Sequence, residues 1–393
     1  MKHILMIAYT SYISDARIRR EAETLASLNR YKVVLFAPKE GKKARTYEQG
    51  GVTVRESRLP KYQGDSFLLY LFSYCVFTVL SFWLCLTQVV RGRLDVVHVH
   101  NMPNFLIFGA LPVRLGRGKI VLDVHDTMLE TYASKFYEDK NTLLKRILKV
   151  EESVCTRLAD AVVAVNEPQA EVLVGRGVPR SKITVSMNVP DDRLFNYGFQ
   201  LAEREPGNPS YRTVYHGTVA QRHGVDQAIQ AVALLRDRIP GIKLNILGDG
   251  DYMEECRHLV QELGAGDFIH FDGMFTIEDM IVFLEKMDLE IVTNRKNPAS
   301  ELMLPVKLME SVALGLPVVT ARLRTIEYYF SDDMVYFFEP EALDSLTETI
   351  FKAYSDRETT RKKAQTAKRF LDKYGWDTHK HDLFDLYTKL EQS

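Results

Sequence analysis

The chain contains 393 residues, more than one hydrophobic core usually organises, so its length predicts two domains. Its content of 46% hydrophobic and 26% charged residues is that of an ordinary globular protein and excludes collagen-like, disordered and coiled-coil classes. The 51 lysines and arginines nearly balance the 52 aspartates and glutamates, and the net charge of -1 gives no reason to expect nucleic acid as a partner.

The N-terminal sequence MKHILMIAYT begins with a strand-like apolar run and lacks the long apolar stretch and cleavage site of a signal peptide. The four cysteines are far apart and form no CxxC pair: Cys75, Cys85, Cys155 and Cys256. Four such thiols in a long chain favour reduced side chains in a cytosol. We therefore expect the protein to remain in the cytoplasm.

Short apolar runs alternate with helical patterns along the first half of the chain, which is typical of βαβ units around a parallel sheet. The predicted strands are Ile4 to Ala8, Lys32 to Phe36, Asp95 to Val99, Ile120 to Val124 and Ala161 to Val165. Between the first two strands, Ile18, Ala22 and Leu25 recur at helical spacing. Ser14 or Asp15 can cap that helix.

The segment from Phe67 to Val90 contains 24 residues without a charge, more than the roughly 18 that raise the question of a membrane span. A complete crossing is not favoured, because the strand-like runs on both sides look like parts of one sheet. A helix lying on the membrane, with Lys61, Arg91 and Arg93 as contacts for anionic lipid, is favoured over a buried crossover helix. The predicted localisation is peripheral, on the inner face of the plasma membrane.

The second half of the chain repeats the alternating pattern. Its predicted strands are Thr213 to His216, Lys243 to Leu247, Ile269 to Phe271, Leu289 to Thr293 and Val318 to Ala321. Charge, proline and glycine in Leu201 to Ser210 indicate an exposed linker. We predict an α/β fold with Rossmann-like domains at 1–200 and 211–370, and a C-terminal helix at 371–393 that packs back towards the first domain. Parallel sheets facing a cleft would bind ligand between the two domains.

A short helix between Pro305 and Gly315 carries the most informative polar pair. Lys307 lies in its first turn, where a cation opposes the macrodipole at a cost of a few tenths to about 1 kcal/mol unless an anion is bound. A diphosphate would supply that anion, and Glu310 could then accept hydrogen bonds from ribose hydroxyls. A solvated Lys–Glu pair on the outer face is the alternative, and the pattern leaves both open.

The segment LGDGD contains the two carboxylates of a DxD sequence, Asp249 and Asp251, which could hold a metal ion through oxygen ligands. The segment follows a predicted strand and precedes a helix, so backbone contact of Gly248 and Gly250 with a nucleotide is the favoured interpretation. We therefore predict no metal at this position.

Polar side chains also follow two predicted strands of the first half, namely His98, His100 and Asn101 after one strand and Asp123, His125 and Asp126 after the next. Substrate contact is one interpretation and local hydrogen bonding the other. A zinc site is not favoured, because no cysteine or glutamate of suitable spacing accompanies these residues. Asp15 and Arg17 open a helix predicted to face the same cleft, where a surface ion pair and acceptor contact are both open.

Seven segments in order resemble those of retaining glycosyltransferases of family 4, which have the GT-B architecture. They are DARIRREAETLAS at Asp15, DVVHVHN at Asp95, LDVHDT at Leu122, ADAVVAVN at Ala159, YHGTVAQRHGVDQAI at Tyr215, LGDGD at Leu247 and LPVKLMESVALGLPVV at Leu304. The resemblance implies a C-terminal domain that binds a nucleoside diphosphate sugar without cofactor or metal. By the same resemblance Glu310 binds the nucleotide ribose, and His125 lies near the donor sugar and stabilises developing charge.

The sequence departs from this family at three places. The glycine-rich turn after the first strand is absent, with AYTSYISDAR in its place. The family often has two glutamates separated by seven residues, whereas Glu301 precedes Glu310 by nine positions, so only Glu310 is carried over and Glu301 would reach the sugar through a bulged loop. Thr218 and His223 stand where the family has Arg and Lys in the first loop of the C-terminal domain, the loop in which Gly217 is a predicted donor contact. The positive charge for the diphosphate is then expected from Arg222, Lys307 or Arg295.

Together these features predict a metal-independent glycosyltransferase that retains anomeric configuration and acts on a lipid-linked glycan in bacterial polysaccharide biosynthesis. The predicted acceptor contacts are Asp15, Arg17, His100 and Asn101. A sugar-nucleotide epimerase of the same architecture is an alternative, although its soluble substrates would not require a membrane helix. A non-enzymatic bilobal sugar-binding protein is the other alternative, and it would require export.

Overall fold

The computed structural model describes residues 1–62, 64, 66–135, 142–195 and 210–392. The chain divides into two compact units, of which the first comprises Met1–Asn188 and His379–Ser393 and the second Val189–Thr378. Each unit is built around one sheet of parallel strands. The exception is the strand Thr46–Gln49, which is antiparallel and lies at the edge of the sheet of the first unit. The predicted α/β class with two parallel-sheet domains is confirmed. Residues 201–209 of the predicted linker lie outside the described residues.

The sheet of the first unit has the order β3-β4-β2-β1-β5-β6-β7-β8. Its strands are β1 Lys2–Ile7, β2 Tyr31–Lys39, β3 Thr46–Gln49, β4 Val52–Pro60, β5 Val96–His100, β6 Lys119–Val124, β7 Ala161–Ala164 and β8 Ile183–Val185. The central strands β1, β5, β6 and β7 are almost wholly buried, as their continuous apolar runs require. Their ends therefore form a rigid edge on which polar side chains can be fixed.

The sheet of the second unit has the order β11-β10-β9-β12-β13-β14, with every pairing parallel. Its strands are β9 Tyr211–His216, β10 Ile242–Leu247, β11 Ile269–Gly273, β12 Leu289–Val292, β13 Val318–Ala321 and β14 Tyr336–Phe338. Each strand predicted from the sequence corresponds to one of the observed strands. Strands β3, β4, β8 and β14 were not predicted from the sequence.

Helices connect the strands in both units. In chain order they are α1 Ala16–Ser27, α2 Phe67–Val90, α3 Met128–Lys135, α4 Thr142–Leu158, α5 Glu167–Gly175, α6 Val225–Leu235, α7 Met253–Glu262, α8 Ile277–Leu284, α9 Val306–Ala313, α10 Arg324–Tyr329, α11 Leu343–Ser355, α12 Arg357–Ala367, α13 Arg369–Tyr374 and α14 Trp376–Gln392. Short 3-10 segments occur at Asn104–Gly116, Arg180–Lys182, Gln221–His223 and Ser300–Leu302.

Helix α2 has the predicted bounds and begins at the capping residue Ser66. The strands before and after it, β4 and β5, lie in the same sheet. One side of the helix is buried against the segment Asn104–Gly116, while Phe72 and Trp83 are 65% and 59% exposed. By length and composition, one helix among the described residues, Leu68–Val90, is apolar enough to cross a membrane. Its uncharged surface is therefore only partly covered by protein.

Two glycines shape the loops at the end of strands β9 and β10. A side chain at Gly248, whose φ is +141°, would place its Cβ 1.9 Å from the carbonyl oxygen of Gly217. A Cβ at Gly250 would lie 2.1 Å from the carbonyl oxygen of Val219. Only glycine permits this close approach of two backbones. The two loops are thereby held together beside helix α9.

Candidate functional site

Three charged residues form a chain of contacts in the second unit. His216 ends β9 and is buried, with its Nδ1 3.0 Å from Glu290 Oε2 on the neighbouring strand β12. Its Nε2 lies 3.0 Å from Glu310 Oε2 on α9. Burial alone would oppose a charged ring, but the two carboxylates raise the pKa of His216 to about 9. At neutral pH an imidazolium therefore donates to both carboxylates.

The ammonium of Lys307 lies beside this chain. Its Nζ is 3.6 Å from the centre of the Tyr215 ring and is buried, and it has no hydrogen-bond partner among the described residues. A Cβ at Gly217 would lie 3.4 Å from the same atom. Burial lowers the pKa of Lys307 to about 7, against the attraction of Glu290 and Glu310. The prediction that Lys307 and Glu310 face outwards as a solvated pair is wrong, because both point into the end of the sheet.

The remaining predicted donor contacts differ in how they are engaged. Arg222 is exposed on the turn Gln221–His223, and burial together with the charges of Lys307 and Arg222 lowers the pKa of His223 to about 3. Arg295 pairs with Asp226 and donates to the carbonyl oxygen of Gln221. The structure thus brings Lys307 and Arg222 together, whereas Arg295 is held by partners of its own.

Glu301 lies on the short 3-10 segment Ser300–Leu302. Its Oε2 accepts from the backbone nitrogen of Arg324 at 2.8 Å, and its Oε1 lies 3.5 Å from Lys296 Nζ. The carboxylate therefore fastens the start of α10. The bulged-loop route by which Glu301 would reach a sugar stays a prediction.

The first unit contains a second polar cluster around Arg17 of α1. Its Nη2 donates to Asp123 Oδ1 at 2.7 Å, and its Nε donates to Glu21 Oε1 at 3.2 Å. All three side chains are buried. Burial alone would raise the pKa of Asp123, but Arg17 and the histidines hold it well below its usual range. The surface ion pair that was one interpretation of Arg17 is wrong, because its charge is neutralised inside the fold. Its role as an acceptor contact stays a prediction.

His125 is the predicted residue of this cluster whose side chain still reaches solvent, at 20% exposure. Its Nε2 lies 3.2 Å from Asp123 Oδ2 and 3.1 Å from His100 Nδ1. Asn101 accepts from the backbone nitrogen of His125 and donates to Asn104 and to the carbonyl oxygen of Asp126. His100 and Asn101, both predicted acceptor contacts, are buried and brace His125.

The imidazole of His100 is neutral. Burial and the neighbouring His98 ring lower its pKa to about 3, against the attraction of Asp123.

Asp15 caps α1 by accepting from the backbone nitrogen of Ile18, as the sequence allowed. The capping contact uses Oδ1 of Asp15. Its role as an acceptor contact stays a prediction.

Four potential metal ligands converge in the first unit, namely Glu21, His98, His100 and Asp123, with one ligand atom of each lying within 4.8 Å of all the others. The sequence-based argument that no suitable glutamate accompanies the histidines is wrong, because the fold brings Glu21 from α1. Arg17 contacts both carboxylates, however, and a divalent cation would have to share them with its guanidinium. The ligand set therefore does not favour a metal ion.

Three residues of the two clusters were not predicted as site residues from the sequence, namely His216, Glu290 and Tyr387. Tyr387 of α14 is buried and its hydroxyl lies 2.8 Å from His98 Nδ1, so the C-terminal helix supports the cluster of the first unit. For Glu290 a signal existed, because an acidic residue inside the apolar run LEIV needs a buried partner. His216 could have been identified as that partner only by knowing that β9 and β12 are neighbours.

Two family models divide the chain between them. The model described as Glycosyl transferase 4-like domain matches residues 14–188, and the model Glycosyl transferases group 1 matches residues 201–370. These ranges correspond to the two parallel-sheet units. The chain accordingly combines a glycosyl transferase 4-like domain with a domain of the glycosyl transferases group 1, and its two parallel-sheet units have the GT-B fold.

Among curated proteins, a sulfoquinovosyl transferase of Arabidopsis thaliana, SQD2, is 22% identical over 74% of this chain and 56% of its own length. The lipopolysaccharide core biosynthesis glycosyltransferase LpsE of Rhizobium meliloti is 30% identical over 30% of this chain and 31% of its own. The chain therefore spans about half, or less, of the length of these relatives.

Solved structures match over the whole chain. A sucrose-phosphate synthase of Thermosynechococcus elongatus has a TM-score of 0.78 with 16% identity, and each chain is covered in full. The Anabaena protein HepE, solved in complex with UDP, has a TM-score of 0.70 with 14% identity, covering 99% of this chain and 100% of its own. At these identities the likeness establishes the fold.

Proposed function

We propose that the protein transfers a sugar from a nucleoside diphosphate sugar to a hydroxyl of a membrane-bound, lipid-linked glycan. The observation that carries this proposal is the buried ammonium of Lys307, which has no hydrogen-bond partner in the described part of the chain and adjoins Glu310. An unpaired buried cation is costly, and an anionic ligand would offset that cost. The complex of HepE with UDP supports a diphosphate as that anion.

Different residues would bind the diphosphate, the ribose and the sugar of the donor, according to their chemistry. Lys307, Arg222 and the backbone around Gly217 would bind the diphosphate, and Glu310 would accept hydrogen bonds from the ribose hydroxyls. His125 would contact the donor sugar, as the resemblance to family 4 implies. In the transfer, the bond from C1 of the sugar to the diphosphate oxygen breaks as the bond to the acceptor oxygen forms. The electron pair and the hydroxyl proton go to the departing diphosphate.

We propose retention of anomeric configuration, with the acceptor oxygen approaching on the face from which the diphosphate leaves. Positive charge placed where the leaving group develops negative charge supplies the catalytic stabilisation, and no side-chain nucleophile or metal ion is required. The retaining class rests on the seven sequence segments that resemble family 4. Anomeric configuration of donor and product, read by nuclear magnetic resonance, tests it directly.

A membrane-bound acceptor is supported by the partly exposed helix α2 and by the likeness to a lipopolysaccharide core biosynthesis enzyme. We expect the protein to bind the cytoplasmic membrane surface without crossing it, because β4 and β5 share one sheet. Replacing Leu71, Phe72 and Phe82 by glutamate should release the protein from vesicles, since each buried apolar side chain contributes roughly 1.5 to 3 kcal/mol. Unchanged flotation of a folded variant would contradict this assignment.

A screen of thermal unfolding against UDP, GDP, ADP and their sugars tests the donor site. A ligand at a hundred times its dissociation constant adds about 2.7 kcal/mol of stability. Transfer is then measured from the stabilising donor to lipid-linked glycans in membrane extracts. Absence of stabilisation by every donor would refute the proposal, and conversion of the donor without any acceptor would favour an epimerase instead.

A further inference from the structure

The solvent-facing surface of helix α4 has an unusual composition. Its exposed residues are Thr142, Leu143, Arg146, Ile147, Lys149, Val150, Val154 and Arg157. The four apolar members recur at spacings of four, three and four, which places them on one stripe of the helix. Leu143 and Val150 are 68% and 62% exposed. A stripe of this kind is ordinarily covered in a folded protein.

The two acidic residues of α4 turn away from this surface. Glu152 is buried and pairs with Arg176, and Glu151 accepts a hydrogen bond from Asn104. The exposed charged residues of α4, which are Arg146, Lys149 and Arg157, are therefore all basic. An exposed apolar stripe flanked by charges of a single positive sign is typical of a helix that lies in an anionic membrane interface.

Helices α2 and α4 are neighbours in the first unit. Both contact the segment Asn104–Gly116, and this segment adds Phe108 and Leu115, which are 38% and 76% exposed. The connections β4 to β5, β5 to β6 and β6 to β7 all advance in one direction along the sheet. Right-handed crossovers therefore place the three elements side by side on one face.

We propose that α4 forms a second membrane contact of this protein, next to α2. In this contact Arg146 and Lys149 bind anionic lipid headgroups, while the apolar stripe of α4 enters the membrane interface. The proposal rests on the membrane association proposed above and adds a defined surface to it. A second copy of the chain fits less well as the occupant, because each copy would present only basic charges from this helix to the other.

The test is vesicle flotation of the full chain. The variant carries Leu143→Glu, Ile147→Glu and Val150→Glu, and the matched control carries Leu234→Glu, Met274→Glu and Val282→Glu on exposed apolar positions of the second unit. With vesicles of phosphatidylcholine and phosphatidylglycerol we expect the partition coefficient of the α4 variant to fall about 10-fold or more and that of the control to stay near wild type. Arg146→Gln with Lys149→Gln should reduce the preference for phosphatidylglycerol, while Arg157 and the basic residues that flank α2 retain part of it.

Three results would overturn the proposal: equal flotation of the α4 variant and the wild type, equal loss in the control, or self-association of the wild type in sedimentation experiments that the α4 variant loses while its flotation is unchanged. Circular dichroism and thermal unfolding verify that each variant is folded. Stabilisation by UDP, GDP or ADP is recorded in the same samples. If the nucleotide stabilises the protein and the vesicles do not bind it, the α4 contact fails and the donor site stands.

A separate observation in the second unit concerns how Glu310 is held. We infer that His216 and Glu290 are positioning residues for Glu310. His216 Nε2 engages only Oε2 of Glu310, and no other described residue bonds Oε1. One carboxylate oxygen is thus fixed, while the other is left for a ligand. Glu290 in turn fixes the ring of His216 through Nδ1, and its Oε1 lies 3.4 Å from the backbone nitrogen of His216.

The charge on His216 couples this arrangement to pH. The charged groups that face the cluster are Glu290 on β12, Glu310 and Lys307 on α9, and Arg222 on the turn Gln221–His223. An imidazolium can donate to both carboxylates at once, whereas a neutral ring can donate to only one of them. Loss of its proton would therefore release Glu310 or Glu290 from its hydrogen bond and weaken ribose binding.

The experiment measures affinity for the nucleoside diphosphate that stabilises the wild type most among UDP, GDP and ADP, between pH 6 and 10. It is done in a Lys307→Met background, so that His216 is the cluster residue that titrates in this range. Adding Glu290→Gln removes one of two attracting carboxylates, and the pH at which affinity falls by half should drop by about 1 unit or more. His216→Gln should abolish the pH dependence and raise the donor KM more than it changes kcat.

An unchanged midpoint in the folded Glu290→Gln protein would overturn the positioning role, because a purely structural contribution lowers affinity at every pH without moving the midpoint. Persistence of the pH dependence in His216→Gln would also overturn it. If no nucleotide binds the wild type at all, the proposed donor site fails instead, so the two failures are distinguishable.

Discussion

The two units each bury a cluster of carboxylates and histidines at the ends of neighbouring parallel strands, and they neutralise these clusters differently. In the first unit, Arg17 forms ion pairs with both Asp123 and Glu21, so the cation is satisfied by the protein. In the second unit, Lys307 has no hydrogen-bond partner among the described residues and lies on the face of Tyr215. The ion pairs of the first cluster are complete within the protein, whereas we propose that the second cluster binds an anion.

The difference shows why a buried charge alone does not identify a binding site. Both clusters have strongly shifted pKa values, low for His100 and high for His216, yet only in the second does a buried cation lack a hydrogen-bond partner among the described residues. A paired cation contributes to the stability of the fold, while an unpaired one lowers it and favours binding of an anion. Removal of each cation should therefore have opposite consequences.

The largest effect is expected from Arg17→Met. Removal of the guanidinium leaves Asp123 buried without its main counter-charge, which costs about 3–5 kcal/mol of the free energy of unfolding. Urea denaturation measures this loss. The double variant Arg17→Met with Asp123→Asn should recover part of it. A loss below about 1 kcal/mol would contradict the description of this cluster as a structural support.

Glu310→Ala should lower kcat/KM for transfer about 100-fold or more, because hydrogen bonds to a charged group contribute about 1.5–3 kcal/mol each and two ribose hydroxyls are involved. The side chain is 15% exposed, and the ring of His216 keeps Glu290 as a partner, so the variant should fold. Glu262→Ala is the control, since this glutamate is exposed at the C-terminal end of α7 and belongs to no predicted site. Near-normal activity of folded Glu310→Ala would remove this residue from the donor site.

Lys307→Met should weaken binding of a nucleoside diphosphate about 10- to 100-fold through loss of a charge-assisted contact. Binding of the corresponding nucleoside, which lacks phosphate, should be unchanged, and calorimetry compares the two ligands. The free energy of unfolding without ligand should stay equal or rise, in contrast to Arg17→Met. A clear destabilisation of the ligand-free variant would mean that the protein itself satisfies this ammonium.

The smallest expected effect is a change with pH of the difference in free energy of unfolding between the wild type and Lys307→Met. Unfolded Lys307 keeps its proton up to about pH 10.5, whereas the folded protein releases it near pH 7. Between these values the unfolded state binds more protons, so the Lys307 contribution to wild-type stability rises with pH. Any advantage of Lys307→Met should therefore shrink from pH 7 to pH 10. A difference that stays constant over this window would show that Lys307 is not desolvated.

The raised pKa of His216 acts in the opposite direction. Its contribution to stability is fully present below pH 6.5 and is lost as the pH rises through about 9. Because His216 is present in both proteins, this contribution cancels in the difference between wild type and Lys307→Met.

Much of the fold was readable because its signals are local. The bounds of α2 follow from an uncharged run and the capping residue Ser66, and α1 begins after Asp15 as expected. The hairpin of β3 and β4 was missed although Gly50 and Gly51, both with positive φ, separate two alternating runs. Strand β8 contains three residues, too few for a periodic pattern.

The sequence by itself determined the two parallel-sheet domains and the apolar helix α2, and it singled out Lys307 and Glu310 as a polar pair on one short helix. Apolar periodicity, caps and glycine stops are properties of neighbouring residues, so they survive without tertiary knowledge. The partners of the charged residues were decided only by the tertiary structure. Arg17 finds Asp123 more than a hundred positions away, and His216 joins Glu290 to Glu310 across two strands and a helix. Whether a buried charge is paired depends on which strands are neighbours, and no local pattern in the chain contains that information.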